Sequence, residues 1–165
     1  TKSGNMAAPN NFVDVSWYKF GPIPGELGSA VIAGHEDNAL SLDGVFKHLE
    51  DLTVGDDIYV VAEDGARAHF QVVDKKLYPY DLSGPELERV FHADDAARLN
   101  LITCAGTWLP EAHTNDQRLV VYTKLVMIDN KAPSEHAKYQ IQFSQPTGGL
   151  NDVFVGHDTF RNPRG

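Results

Sequence analysis

Five separate stretches of this sequence alternate or cluster apolar residues in the manner of β-strands, and this pattern is the strongest constraint on its fold. The runs cover residues 29–34, 57–62, 66–78, 99–104 and 118–128. Only two short helical pieces are predicted, one over residues 43–51 and one after Ser83, where Pro85 suits a first helical turn. Asp64-Gly65 is a typical hairpin turn. Many strands with few helices predict a mostly β fold, an antiparallel sheet or barrel.

The length and charge of the chain narrow the classes of function. It has 165 residues, enough for one domain with a real core, and a net charge of −9 from 14 basic and 23 acidic side chains. The acidic excess argues against nucleic acid as a partner. No apolar run is long enough to span a bilayer, and no signal peptide is recognisable, so any anchor or export signal is expected outside this sequence.

The single cysteine ends one of the strand-like runs. Cys104 follows LNLIT and precedes Ala105-Gly106, so the thiol is expected at a strand end. Arg118 opens the next run. A thiol and a guanidinium at the ends of neighbouring strands would place a nucleophile beside an oxyanion stabiliser. The alternative is that Cys104 is an inert, buried packing residue. A lone cysteine also excludes an internal disulfide and a multi-cysteine metal site.

A thiol of this kind needs a base, and the chain has seven histidines. His35 is the best candidate because it directly follows the apolar run 29–34 and should lie at a strand terminus. His113, in the loop between Cys104 and Arg118, is the rival. Of the remaining histidines, His48 falls in a helix-like stretch, His69 inside a strand-like run and His92 near the end of a short helix. The polar tail contains the other two, His136 and His157.

Two segments of the sequence resemble the sortase family of bacterial cell-surface cysteine transpeptidases. The first runs from Trp17 to His35 (WYKFGPIPGELGSAVIAGH), and it is most similar to the actinobacterial class F and class E-like groups. The second is LITCAG around Cys104, followed by QRLVV around Arg118. Residues 49–60 and 78–81 also fit, so the resemblance extends over about residues 6–126.

The resemblance implies a sortase-like β-barrel with short helices and a cysteine site. Cys104 would be the nucleophile, His35 the acid and base, and Arg118 the stabiliser of the transition state. The family implies cleavage of a Leu-Pro-any-Thr-Gly-type sorting signal between Thr and Gly through a thioacyl intermediate. The acyl group would be joined to an amine of a cell-wall precursor or a pilin lysine. No cofactor or metal is expected, and the protein would be extracytoplasmic and held by an N-terminal membrane anchor.

Two further residues are candidates for the substrate groove. Thr103, directly before the nucleophile, is a plausible groove wall, although a β-branched residue is equally typical of a strand. Trp108 is expected to flank the groove or, alternatively, to anchor a loop. Two other functions stay open for the same residues. One is a thiol hydrolase or peptidase, in which water replaces the amine, and the other is a non-enzymatic surface β-barrel module.

Residues 1–128 are predicted to form the catalytic domain and residues 129–165 a C-terminal extension. The first barrel strand of the family has no matching stretch in residues 1–16, and residues 1–28 are expected to be irregular. The extension contains two apolar patches, residues 139–143 and 153–155. Because open sheet edges invite aggregation, one of these patches is expected to cover the edge of the barrel.

Overall fold

The structure is a computed structural model that describes residues 15–36, 44–92, 95–129, 138–144 and 150–153. Within them one helix, α1, spans Gly84–Phe91, and a short 3-10 helix spans Leu49–Asp51. The strands are β1 Val15–Trp17, β2 Gly28–Gly34, β3 Asp57–Ala62, β4 Arg67–Pro79, β5 Ala97–Leu109, β6 Thr114–Asp129, β7 Tyr139–Ser144 and β8 Leu150–Val153.

These strands form one curled sheet in the order β1-β2-β5-β6-β4-β3-β7-β8. Every neighbouring pair is antiparallel except β2 and β5, which run parallel. Side chains from β2 and from β7 share one buried cluster, which requires the sheet to wrap around it. The predicted mostly β, barrel-like fold is therefore confirmed.

The two faces of the sheet carry two separate apolar clusters. The inner face holds the main core, to which the central strands contribute Leu101, Leu119 and Val121. The outer face holds a smaller cluster that includes Val120 and lies beneath Val90 of α1. Because successive strand residues point to opposite faces, this division fixes which side each residue of β5 and β6 faces.

The local predictions are confirmed for most elements and wrong for two. Asp64-Gly65 does join β3 to β4, and the Ala62 N–H donates to the Ala66 carbonyl across the turn. The segment expected to be irregular contains β1, which pairs with β2. The helix expected over residues 43–51 is, over its described part, a set of turns ending in the short 3-10 helix. Its amphipathic pattern is satisfied by burying Phe46 and Leu49 without a regular helix.

The first apolar patch of the C-terminal segment lies at a strand edge. β7 pairs antiparallel with β3, with Ile58 opposite Phe143 and Val60 opposite Ile141. Tyr139, Ile141 and Phe143 alternate into the inner core. Of the second patch, Val153 ends β8, and residues 154–155 lie outside the described residues. The edge of β3 is thus covered from within this chain.

Candidate active site

Cys104 and Arg118 are direct cross-strand partners. They face each other in the antiparallel pairing of β5 with β6, between the pairs Thr103–Leu119 and Ala105–Gln117. Partners in such a pair project from the same face of the sheet. Alternation assigns that face to the outer side, because Leu119 belongs to the inner core and Val120 to the outer cluster. The thiol is half-buried and free.

The parallel pairing of β2 with β5 brings His35 to the same place. The register runs to Ala33 beside Ile102, and the buried Thr103 hydroxyl donates to the Gly34 carbonyl at 2.8 Å. β2 ends at Gly34, and extending the register by two residues beyond Ala33 brings the backbone of His35 next to that of Cys104. The three residues predicted from the sequence therefore lie on, or directly after, three adjacent strands, with their backbone positions in one row.

The backbone of His35 is fixed by the turn that follows. The Phe46 N–H donates to the His35 carbonyl at 2.9 Å. Phe46 then packs against Gly34 so closely that a Cβ on this glycine would lie 2.6 Å from the ring and 2.7 Å from a Val45 methyl group. The absence of a side chain at Gly34 is what lets the core approach the histidine backbone.

The other described histidines lie elsewhere. His113 sits in the turn between β5 and β6 with a positive φ of 50°. The backbone of the next residue, Thr114, is four strand positions, or about 13 Å at roughly 3.3 Å per residue, from the Arg118 backbone that pairs with Cys104. His48 is exposed beside Asp51, His69 contacts Asp57 at 2.7 Å, and His92 ends α1. His136 and His157 lie outside the described residues. The geometry thus favours His35 over His113.

The Arg118 guanidinium lies along its own strand toward the turn. Nη1 donates to the carbonyls of Asn115 at 3.0 Å and Gln117 at 2.8 Å. Nη2 donates to the Thr114 hydroxyl at 2.7 Å. These contacts hold the cation at the end of β6 without an acidic partner among the described residues. A cation held in this way keeps its charge available to an anion.

The chain directly after the cysteine forms a bulge. The β5–β6 register shifts between Ala105 and Trp108, and Gly106 there has a φ of 82°. Asp116 holds the bulge, because its carboxylate accepts the Thr107 N–H at 2.7 Å. A Cβ on Gly106 would collide with the same carboxylate. Bulges beside active sites re-aim the neighbouring side chains. Sequence reasoning missed this feature because residues 105–117 were treated as loop.

Two tyrosines lie on the same outer face of the sheet as Cys104. Tyr78 of β4 pairs with Arg118, and its hydroxyl lies 2.8 Å from the buried hydroxyl of Tyr122 on β6. Burial and the bond to Tyr78 raise the pKa of Tyr122 above its usual value. The Tyr122 phenol therefore stays neutral. The row Tyr78, Arg118 and Cys104 runs across three strands on one face.

Helix α1 is tied to this face by polar contacts. Arg89 donates to Asp74 of β4 at 2.6 Å, and its guanidinium lies 4.3 Å from the ring centre of Tyr122. The hydrogen bond from Arg89 lowers the pKa of Asp74. On the other side, the buried Asn100 of β5 donates to the Val90 carbonyl at 2.6 Å. The helix is thus held against both β4 and β5, and the cysteine lies on the face that it partly covers.

Thr103 and Trp108, the two candidate groove residues, lie in different parts of β5 relative to the Cys104 thiol. Thr103 is buried on the inner face, where its hydroxyl is bonded to Gly34. There it lines a cavity of about 290 Å³ together with Phe46, Lys47, Lys76, Leu77 and Leu119. Trp108 lies beyond the bulge, paired with Asn115, and is 55% exposed. Its side chain is thus available at the turn end of β5, whereas Thr103 contacts the strand that carries His35.

Among the described residues, no group of three or more His, Cys, Asp or Glu side chains could hold a metal ion. Across the same residues, none of the helices has the length and apolar character required to cross a bilayer.

Comparison with known proteins identifies the family. The family model described as "Sortase domain" matches residues 1–126, so the chain belongs to the sortase family. No curated protein matches the sequence. Among solved structures, sortase C1 of group B Streptococcus (GBS) pilus island 1 is similar at a TM-score of 0.53 and 25% identity, over 68% of this chain and 52% of that one.

Two other neighbours share the fold at lower identity. Sortase A of Listeria monocytogenes gives a TM-score of 0.56 at 19% identity, covering 75% of this chain and 76% of that one. Sortase SrtA of Actinomyces oris gives 0.53 at 23% identity, covering 87% and 73%. The chain spans about half the length of the streptococcal sortase C1 that it matches. The class F or class E-like subtype stays a prediction, because these neighbours are named as sortases A and C.

Proposed function

We propose that this protein is a cysteine transpeptidase that uses Cys104, His35 and Arg118. The observation that carries the proposal is the alignment of these three backbone positions across three neighbouring strands. Cys104 and Arg118 are direct partners in the sheet, and the β2–β5 register leads His35 to the same row. Membership of the sortase family supports the same assignment.

The chemistry follows from the groups present. The Cys104 thiolate attacks the carbonyl carbon of the scissile peptide bond, and Arg118 stabilises the oxyanion that forms. Protonated His35 gives its proton to the leaving amine as the C–N bond breaks, which leaves a thioester on Cys104. An incoming primary amine then attacks the thioester, its proton passes to His35, and the thiolate is restored.

The proposed substrate is a Leu-Pro-any-Thr-Gly-type sorting signal cleaved between Thr and Gly. The acceptor would be an amine of a cell-wall precursor or a pilin lysine. The protein itself would act outside the cytoplasm, held at the membrane by an N-terminal anchor. We assign the catalytic domain to residues 1–128 and treat residues 129–165 as a C-terminal extension, of which β7 pairs with β3. Trp108 is proposed to contact the substrate, since its side chain is exposed at the turn end of β5. Thr103 is proposed to hold β2, and with it His35, against β5.

Intact-mass spectrometry tests the proposed reaction. The protein is incubated with a Leu-Pro-any-Thr-Gly peptide, with and without a glycine-based amine. We expect a thioacyl adduct on the protein that is discharged as an amine-ligated product, because the amine competes with water for the thioester. Cys104→Ala removes the attacking sulfur and should give no adduct.

The same measurement separates the alternatives. Discharge only to the free acid would replace the transpeptidase by a thiol hydrolase. If no adduct forms and native Cys104 resists iodoacetamide, the non-enzymatic module is the better account. His35→Ala and Arg118→Ala should each slow adduct formation by at least about 100-fold, the size of effect typical of a lost general acid or oxyanion donor.

A further inference from the structure

The contacts of Arg118 leave part of its guanidinium unused. A guanidinium has five N–H groups, one on Nε and two on each Nη. Nη1 donates to two backbone carbonyls, and Nη2 donates to Thr114. Within the described part of the chain this occupies both N–H groups of Nη1 and one of Nη2. One N–H on Nε and one on Nη2 remain for a ligand.

Thr114 is the only side chain among the three acceptors. Its hydroxyl lies 2.7 Å from Nη2, whereas Asn115 and Gln117 contribute backbone oxygens. Thr114 and Arg118 are four residues apart on β6, so they project from the same face of the strand. The β-branched side chain of threonine is restricted in χ1, which makes its hydroxyl a pre-positioned acceptor.

We propose that Thr114 is a positioning residue for Arg118. Its hydroxyl fixes Nη2, so that the two remaining N–H groups, on Nε and Nη2, are directed toward an anion formed beside Cys104. The two backbone bonds fix Nη1 alone, and a planar guanidinium held at one nitrogen can still pivot as a whole about that nitrogen. The catalytic meaning of this assignment rests on the proposed function, but the placement of the cation does not.

The charge-dependence of Cys104 alkylation tests the placement of the cation. Iodoacetate is an anion and iodoacetamide is neutral, so a guanidinium beside the thiol favours iodoacetate. We expect Thr114→Val, which keeps the side-chain shape and removes the acceptor, to lower the ratio of the two rate constants roughly threefold, since a partly misplaced charge loses part of its attraction. Thr114→Ser should retain the wild-type ratio.

Arg118→Gln supplies the reference for this test. It should lower the ratio at least as far as Thr114→Val, and adding Thr114→Val to it should have no further effect, because the hydroxyl acts through the arginine. A wild-type ratio in Thr114→Val, or a further fall in the double variant, would overturn the proposal. Thr114→Ala gives the same comparison if the valine variant does not fold.

Acyl transfer supplies a second readout. Thr114→Val should lower kcat roughly tenfold with little change in KM, because hydrogen bonds to charged groups are among the stronger ones and this one matters most when the oxyanion forms. Thr114→Ser should retain the wild-type kcat. The melting temperature should be the same for Thr114→Val and Thr114→Ser. A rise in KM at constant kcat would contradict the role. If the wild type transfers no acyl group, the proposed function fails, while the alkylation ratio still decides the placement of Arg118.

Discussion

At the scale of single residues, the site depends on backbone positions as much as on its reactive side chains. Gly34 lies beside His35 in sequence and beneath Phe46 in space, and it has no room for a Cβ. The glycine was interpreted from the sequence as the end of a strand, which is where it lies. The reason that only glycine fits could not be predicted, because it depends on a turn that brings Phe46 back onto the strand.

Gly34→Ala should reduce both stability and activity. The added methyl group overpacks a site where Phe46 is 1% exposed, which typically costs about 1–3 kcal/mol of unfolding free energy. We expect a lower melting temperature in thermal unfolding and slower adduct formation, since the backbone that carries His35 must shift.

Phe46→Leu combined with Gly34→Ala is the matched control for this prediction. The smaller side chain makes room for the methyl group, so the double variant should recover activity relative to Gly34→Ala alone. Unchanged melting and unchanged activity in Gly34→Ala would mean that the contact is not limiting.

The nearness of Cys104 and Arg118 was predictable from the sequence, and the contacts that hold them were not. Cys104 and Arg118 are direct partners because two apolar runs of the sequence form a hairpin, a local relationship that the pattern reveals. Thr114 and Asp116 were missed because the polar stretch before Arg118 has the composition of a loop. In the structure it belongs to β6, and only the strand geometry shows what these side chains contact.

At the scale of elements, α1 is the only helix beside the site in the described residues. Its start was predictable from Ser83-Gly84-Pro85, and it begins at Gly84 with proline in the first turn. Its attachment was not predictable, because the partners Asp74 and Asn100 are distant in sequence. The ion pair with Asp74 couples this attachment to pH.

The Asp74–Arg89 pair should stabilise the protein only while the carboxylate is charged. In the folded state the pKa of the Asp74 carboxyl is lowered from 3.8. The stability that the pair contributes is therefore present above pH 3.8 and is lost as the pH falls through the lower folded pKa. Both side chains are more than 40% exposed, so we expect about 0.5–1 kcal/mol or less at pH 7.

Thermal unfolding from pH 7 to pH 2.5 measures this contribution. Wild type should be more stable than Asp74→Asn at pH 7, and the difference should shrink as the pH falls below 3.8. Arg89→Gln should remove the same pH-dependent difference, since it deletes the cation that shifts the pKa. A difference that persists at pH 2.5 would assign the effect to packing instead.

At the scale of the whole molecule, β7 completes the core from the C-terminal side. Tyr139, Ile141 and Phe143 are each less than 9% exposed in the main cluster. One of two apolar patches, residues 139–143 or 153–155, was predicted from the sequence to cover the sheet edge, because open edges invite aggregation. The partner strand could not be predicted, because pairing between residues as far apart as Ile58 and Phe143 leaves no trace in local periodicity.

A chain ending at Asn130 should lose much of its stability. Burial of each of these large apolar side chains contributes roughly 1.5–3 kcal/mol, and the sum is comparable with the total stability of a small domain. We expect a large fall in melting temperature and a tendency to aggregate through the uncovered β3 edge, measured by thermal unfolding and light scattering.

Two point variants refine this prediction. Ile141→Ala should lower the unfolding free energy by about 2–5 kcal/mol, as expected for a buried side chain, whereas Gln140→Ala on the exposed side should have little effect. If the truncated chain melts like the full one, β7 is not part of the cooperative unit.

The parallel pairing of β2 with β5 has a consequence for folding kinetics. It joins Gly34 to Thr103, residues 69 apart, whereas Cys104 meets Arg118 through a short hairpin. Long loops close slowly, so the hairpin can form while β2 is still unattached. During that interval the chain carries its thiol and its arginine without the histidine. Under the proposed function, reactivity toward peptide bonds would therefore arise only after this long-range pairing, which protects a nascent chain from its own nucleophile.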